Sequence, residues 1–292
     1  MYKTPLVHKS CEVCGSDESV PIFTDDAIGG TLVRCRICGM MFVNDITIDV
    51  TIRKIAPPAT EDTPGWVEYR REAEAKRANF EKRYELLKPY LGQRILEIGC
   101  SAGFFLEIAR DCGHDVQGIE PDPRYARYAR EQLGLRVMTG LLDDVHISPG
   151  SFDTVCLFHV LEHVPSPARL LERISGVLRP GGHLVIEVPN IDNVWYRLLG
   201  RRWRQFFLGH YYFFAPNTLG QLLERNAYQV RLMRTVGRTI SLRYFAGRLQ
   251  RYNGMLGRAA ESMVLRLGLA ERTVTMNPGD IMLCVAAAPD LV

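Results

Sequence analysis

Two Cys-x-x-Cys-Gly knuckles, Cys11/Cys14 and Cys35/Cys38, lie twenty residues apart near the start of the chain. Each presents two thiolates on one side of a tight turn, with Gly15 and Gly39 relaxing the backbone behind them. Four soft ligands in this pattern suit a tetrahedral Zn2+. A closed four-thiolate shell leaves no open coordination position, so the expected ion is structural. A redox dithiol would account for one such pair but not for two matched ones. A second candidate is the run RILEIGCSAGFF over 94–105, an apolar strand entering a turn of small residues and then a helix. A dinucleotide site needs glycines at 99, 101 and 104, because a pyrophosphate approaches the backbone at the helix N-terminus. Serine and phenylalanine occupy 101 and 104, and no Gly-Lys-Ser/Thr follows for a phosphate loop. What remains is Glu97-x-Gly99-x-Ser101-x-Gly103, an acid at a strand end before a small-residue turn, which suits a ligand with a cationic amino-acid portion. Glu120 follows seventeen residues beyond Gly103, where a carboxylate can accept both hydroxyls of an unphosphorylated ribose.

These residues need elements to hold them. Strands are expected at 94–98, 115–120, 135–139, 153–159 and 183–189, with helices at 103–112, 123–133 and 167–178 between them. Asp122 and Ser166 are the N-caps of the last two, each followed by proline. Such alternation predicts a parallel, doubly wound α/β sheet, whose ligands sit beyond the carboxyl ends of the strands. A helix over PNTLGQLLERNA and strands over YQVRLMRTV and DIMLCVAAA bring the strand count to seven. Ahead of the sheet, 66–91 has helical spacing of its apolar residues, and Pro, Thr and Gly cluster before it. The organisation is therefore a ribbon over 1–45, a linker over 46–64 and the α/β domain over 65–292. Within that domain a basic amphipathic helix is inserted at about 241–270, with Leu242, Phe245, Leu249, Tyr252, Leu256, Ala259 and Met263 along one face. Packing on the domain or on a twin subunit, and contact with a membrane surface, are both open for that face.

At 292 residues and 47% hydrophobic, the chain can bury a sizeable core. Nothing in it resembles a membrane span or a signal peptide, and four of its eight cysteines are scattered through apolar surroundings. A cytoplasmic, reducing location is expected. The net charge of +3 conceals an asymmetry: 194–260 hold twelve arginines against the single acid Glu224, close to +11. An anionic partner or a solvated basic face would each explain it. The choice of arginine carries little weight, since lysine is absent after Lys88.

With its E-x-G-x-S-x-G turn, Glu120 and the run FDTVCLFHVLEHVPSPARLLERISGVLRPGGHLVIEVPN, the chain resembles the class I S-adenosylmethionine-dependent methyltransferases. The resemblance covers roughly Trp66 to Val236 and the last strand, and implies a seven-stranded Rossmann-like sheet. It implies that Gly99, Cys100, Ser101 and Gly103 cradle the methionine end, that Glu97 faces its amino group and that Glu120 holds the ribose. Leu141, Leu142 and Asp143 would flank the adenine, Phe158 and His159 would line the pocket, and Tyr69 would cover the cofactor. The four-cysteine ribbon resembles that of sugar methyltransferases from deoxysugar, antibiotic and surface-polysaccharide pathways.

Methyl transfer is an in-line displacement at a sulfonium carbon, so the protein must position the acceptor, exclude water and remove a proton. Histidine suits that last task. The candidates are His159 and His163, near the fourth strand's end, and His210, among aromatics in FFLGHYYFF, with Tyr211 or Tyr212 assisting. The expected acceptor is a hydroxyl or carbon of a phosphorylated, nucleotide-linked or glycan sugar, with Arg204 or Arg238 meeting the anion. An RNA methyltransferase is the rival reading. Against it, the ribbon sets Arg34 and Arg36 against Glu12, Asp17, Glu18, Asp25 and Asp26, and VPNI replaces the DPPY-like tetrapeptide of amino-methylating nucleic-acid enzymes. A non-catalytic zinc-ribbon interaction protein is the third reading, and homodimerisation is left open.

Overall fold

A computed structural model describes residues 10–44, 64–250 and 253–289. The chain divides into two compact units, Met1–Ala59 with Pro89–Val236 and Pro278–Val292, and Thr60–Lys88 with Gly237–Asn277. The linker expected at 46–64 lies outside the described residues except for its last position.

In the first unit the ribbon strands β1 (Ser19–Asp25), β2 (Gly30–Cys35) and β3 (Met41–Asn44) form an antiparallel meander. The main sheet contains β4 (Arg94–Ile98), β5 (Asp115–Glu120), β6 (Val137–Thr139), β7 (Phe152–Phe158) and β8 (Leu178–Pro189). It is completed by β10 (Gln229–Thr235) and β13 (Ile281–Ala287). Strand order is β10-β13-β8-β7-β4-β5-β6, and β13 runs antiparallel to both neighbours while the rest are parallel. The order reverses on either side of β4, which makes the end of β4 the topological switch point where such sheets bind ligands. The seven expected strands are all present. β4, β7, β8 and β13 are buried in nearly continuous apolar runs because helices cover the parallel sheet on both faces.

The helices of this unit are α3 (Phe104–Asp111), α4 (Pro123–Glu131), α5 (Pro167–Val177), α6 (Val194–Leu199) and α7 (Pro216–Arg225). Asp122 and Ser166 cap α4 and α5 through side-chain oxygens that accept from Arg124 N–H and Arg169 N–H. The ribbon continues into a strand that its own sequence does not announce. β9 (Tyr212–Phe213) pairs with β3, making a sheet of order β1-β2-β3-β9, and Val43 N–H donates to the Tyr211 carbonyl at 2.8 Å. Glu12 of the first knuckle accepts from the Ser166 hydroxyl at 2.8 Å, and one hydrophobic cluster runs from Cys11 and Phe42 through Tyr212 and Phe213 to the sheet. The segment 205–214 is thus built by ribbon and sheet together.

The sequence assigned 65–292 to one domain, yet 64–88 and 237–277 make the second unit. The helix expected over 66–91 breaks at Glu72 into α1 (Pro64–Arg71) and α2 (Ala73–Leu87). Glu72 is buried, and its carboxylate accepts from the Ser241 hydroxyl at 2.6 Å. α2 carries Asn79 and Arg83, which bond the backbone of Thr239 and Gly237 beside the hairpin β11 (Arg238–Ser241) and β12 (Thr273–Met276). The single insertion helix is corrected to two, α8 (Leu242–Leu249) and α9 (Gly254–Arg266). Asn253 caps α9, and a side chain at Gly257 would lie 2.3 Å from the Gln250 backbone nitrogen, so the break lets the two helices close on each other. Of the expected apolar stripe, Phe245, Leu249, Leu256 and Met263 are exposed and Tyr252 is outside the described residues. No helix among the described residues is long and apolar enough to cross a membrane.

Candidate active site

The turn after β4 sets the geometry. Gly99, Ser101 and Gly103 all adopt positive φ, at 72°, 50° and 82°. Serine in this left-handed region costs about 1 kcal/mol that glycine would not. The turn is pinned by Glu120 at the end of β5, whose carboxylate accepts from Ser101 N–H at 2.7 Å and Asp122 N–H at 2.8 Å. Burial pushes the Glu120 carboxyl up to about 7, with those two N–H groups acting against the rise. Glu97 is 2% exposed, and its Oε2 has no hydrogen-bond partner. Burial, reinforced by the Glu120 charge, holds its pKa well above the carboxylate range. A buried acid with an orphaned oxygen is costly unless a ligand satisfies it. A cationic amino group does so, and the expected methionine end of S-adenosylmethionine carries one.

The other expected cofactor residues take varied places. Cys100 and Phe158 are buried, the latter against Phe105 with ring centroids 4.8 Å apart. Leu142 is buried in the short turn after β6, while Leu141 is 44% exposed. The Asp143 carboxylate is engaged by Arg169 at 3.1 Å and Arg173 at 3.0 Å, both on α5. Tyr69 lies on α1 in the second unit, stacked on Trp66 with the Lys76 ammonium 4.3 Å from its ring centroid.

Beyond β7 the three histidines come together, each in different surroundings. His159, at φ 58°, places Nδ1 3.2 Å from Glu162 and Nε2 3.3 Å from Glu187. Burial opposes its charge but the two carboxylates outweigh it, raising the pKa to about 10, so this imidazole is a cation at neutral pH. His210 is 3% exposed, lies with its ring centroid 4.0 Å from Phe207, and is held neutral by burial at about 3. His163 is half-buried, and its Nδ1–H donates to the Gly209 carbonyl at 2.8 Å, leaving Nε2 available. Its ring centroid is 4.6 Å from that of His210. Tyr211 N–H donates to the Glu162 carbonyl at 2.8 Å, which brings the His210 segment against the loop after β7. Tyr211 and Tyr212 are buried, and the Tyr212 hydroxyl donates to Pro165.

The four knuckle cysteines also converge. Sγ of Cys11 and Cys38 are 3.5 Å apart, those of Cys14 and Cys35 are 3.4 Å apart, and all four lie within 4.8 Å of one another. Tetrahedral Zn–S bonds of about 2.3 Å require sulfurs roughly 3.8 Å apart, so the set fits such an ion.

The arginines are more committed than composition implied. Arg204 pairs with the buried Asp280 at 2.8 Å, Arg197 with Asp192 at 2.7 Å and Arg243 with Glu261 at 3.7 Å. Arg238 begins β11 in the second unit. Removing one member of a buried pair leaves an uncompensated charge. Arg204→Ala should therefore lower stability by about 3 kcal/mol in urea unfolding; an unchanged midpoint with a raised acceptor KM would instead restore the anion-binding role.

A methyltransferase-domain family profile matches residues 67–232. The chain belongs to this family. A ubiquinone biosynthesis O-methyltransferase from Xanthomonas euvesicatoria is 34% identical over 106 residues, 34% of this chain and 44% of the relative. A tRNA U34 carboxymethyltransferase from Syntrophotalea carbinolica is 34% identical over 118 residues, 36% of this chain and 35% of the relative. The chain thus spans less than half the length of these curated relatives. The fold is shared with a SAM-dependent methyltransferase of Thermotoga maritima at TM-score 0.51 and 19% identity, over 76% of this chain and 95% of that one. A methyltransferase of Archaeoglobus fulgidus matches at TM-score 0.51 and 19% identity, over 74% and 97%.

Proposed function

We propose that this methyltransferase transfers the methyl group of S-adenosylmethionine to a hydroxyl of a small-molecule acceptor, and that a structural Zn2+ holds its ribbon. The observation that carries the cofactor side is the orphaned Glu97 oxygen beside the Gly99–Gly103 turn at the switch point of the sheet. Glu97 takes the ammonium of the methionine end, Glu120 the ribose hydroxyls, and Cys100, Leu141, Leu142 and Phe158 line the remainder. When bound, the cofactor supplies an activated methyl group on sulfur. The chain must then orient the acceptor oxygen and remove its proton. That task falls to the Glu162–His163–His210 centre. Among its histidine neighbours, His159 is already protonated and has both ring nitrogens on carboxylates, so it acts by positioning Glu162. His163 has a free ring nitrogen at a half-exposed edge.

A sugar, nucleotide-linked or glycan hydroxyl is the acceptor class suggested by the ribbon's resemblance, and the O-methylating name of the ubiquinone relative agrees on oxygen as the acceptor atom. The RNA reading is weaker, because Arg197, Arg204 and Arg243 are held in ion pairs. The test is methyl transfer from labelled S-adenosylmethionine to a panel of nucleotide sugars, glycans, phenols and tRNA, with the product mapped by mass spectrometry. Label appearing only on tRNA or on carbon would overturn the proposal. In the productive assay His163→Ala should lower turnover about a hundredfold or more with cofactor affinity unchanged; near-full turnover would remove His163 from the mechanism.

A further inference from the structure

The same three side chains have a property that proton removal does not require. Glu162, His163 and His210 each offer a donor atom within 4.8 Å of the other two. Glu162 is fully buried and its Oε2 has no hydrogen-bond partner, although its Oε1 meets His159. His210 is buried and its Nδ1 is likewise without a partner. Two buried polar atoms left bare in one cluster are a large penalty for a fold to carry unless a ligand satisfies them.

The outer contacts of the ligands are those of a metal site. His163 gives its Nδ1–H to the Gly209 carbonyl, which fixes its tautomer and leaves the Nε2 lone pair free. The His210 ring is packed against Phe207 and the His163 ring, with Nδ1 bare. Histidines that bind metal almost always place their second ring nitrogen on a carbonyl or carboxylate, as His163 does. Glu162 is oriented in turn by His159, itself fixed by Glu187. The packing of Phe207 on His210 and the Tyr211 N–H bond to Glu162 hold the two halves of the site in register.

From this geometry we infer that Glu162, His163 and His210 bind a divalent transition-metal ion, distinct from any ion at the four cysteines. Two imidazoles and one carboxylate select the Zn2+, Fe2+, Co2+ and Ni2+ class over Mg2+ or Ca2+, which prefer all-oxygen shells. Metal–ligand bonds of about 2.1 Å place neighbouring donors roughly 3 to 3.5 Å apart, so the three donors, now within 4.8 Å of one another, draw together when the ion enters. Three protein ligands leave an open position for an oxygen from outside. Its use as a Lewis acid that lowers the pKa of the acceptor hydroxyl rests on the proposed function and changes one part of it: His163 Nε2, now a ligand, no longer takes the proton, which leaves to water; the binding of the ion does not rest on that function.

The test is titration of the full chain, its cysteine site first loaded with Zn2+, with Co2+ followed by visible absorption. The expected result is one further Co2+ per chain, with d–d bands and no thiolate-to-cobalt charge-transfer band. Affinity should fall at least tenfold in Glu162→Gln and in His210→Ala. Binding of no further ion, or equal binding by wild type and both variants with their folds verified by circular dichroism, overturns the inference. These outcomes are read without turnover, so failure of hydroxyl methylation would leave the ion site standing, and the converse also holds.

Discussion

Replacing Glu97 with glutamine is expected to weaken S-adenosylmethionine binding roughly a hundredfold, or about 3 kcal/mol, in isothermal titration. Glutamine keeps the shape of the side chain and removes the charge, so the fold should persist. What is lost is the buried, charge-assisted pair between carboxylate and ammonium, which is strong because water does not compete for it. The same burial makes the pair depend on pH. Glu97 and Glu120 are both pushed upward by desolvation, Glu120 to about 7 from a reference of 4.5. For an acid whose pKa is raised in the folded state, the fold holds the proton more tightly than the unfolded chain does. Stability of the ligand-free protein should therefore fall, by up to a few kcal/mol, as pH rises from about 4.5 through about 7. Cofactor affinity should move the opposite way over that window, because a cation binds the ionised pair. Binding near pH 6 must then release protons, visible as a titration enthalpy that changes with buffer ionisation heat. Wild-type affinity in the glutamine variant, or no proton release, would mean that the ammonium binds elsewhere.

The strand–turn–helix around Gly99 to Gly103 was legible because every constraint on it is local. Small residues permit the left-handed backbone, and the acids at strand ends follow from the period of a parallel sheet. The knuckles were legible for the same reason. The partner of β3 was not: Tyr212 and Phe213 lie some 170 residues away and read as part of an aromatic core. Nor could the division of arginines between ion pairs and solvent be read, since Arg204 finds Asp280 only when β13 inserts antiparallel beside β8. The three histidines were singled out as alternatives for one task. The opposite charge states of His159 and His210 come from carboxylates and rings that only the fold assembles: Glu187 on β8 fixes His159, and the 205–214 segment buries His210. Glu162, beside the chosen His163, was overlooked, although its place in LEH was visible; an acid between two histidines near a strand end was the available signal.

The pairing of β3 with β9 ties the ribbon to the segment that carries His210, and the largest expected effect follows from it. Structural zinc sites supply about 10 to 16 kcal/mol in isolated peptides, more than the whole stability of many domains. Cys35→Ser should therefore abolish tight Zn2+ binding at the knuckles and unfold the meander. The damage should reach β9, because Phe42 packs on Tyr212 with centroids 6.4 Å apart and Val43 N–H is bonded to Tyr211. Tyr211 is the residue after His210 and is tied to the Glu162 backbone, so His210 loses its support. The Gly99–Gly103 turn and Glu120 sit on β4 and β5, away from β9 in the chain's sheets, and should keep the cofactor. Expected, then, are faster hydrogen exchange over 30–44 and 205–214, turnover reduced at least a hundredfold, and S-adenosylmethionine affinity within about threefold of wild type. A serine variant is the right tool because a chelator would also strip an ion from Glu162, His163 and His210. Unchanged exchange at 205–214 with full turnover would show that the ribbon is an independent module, and would confine its zinc to that module alone.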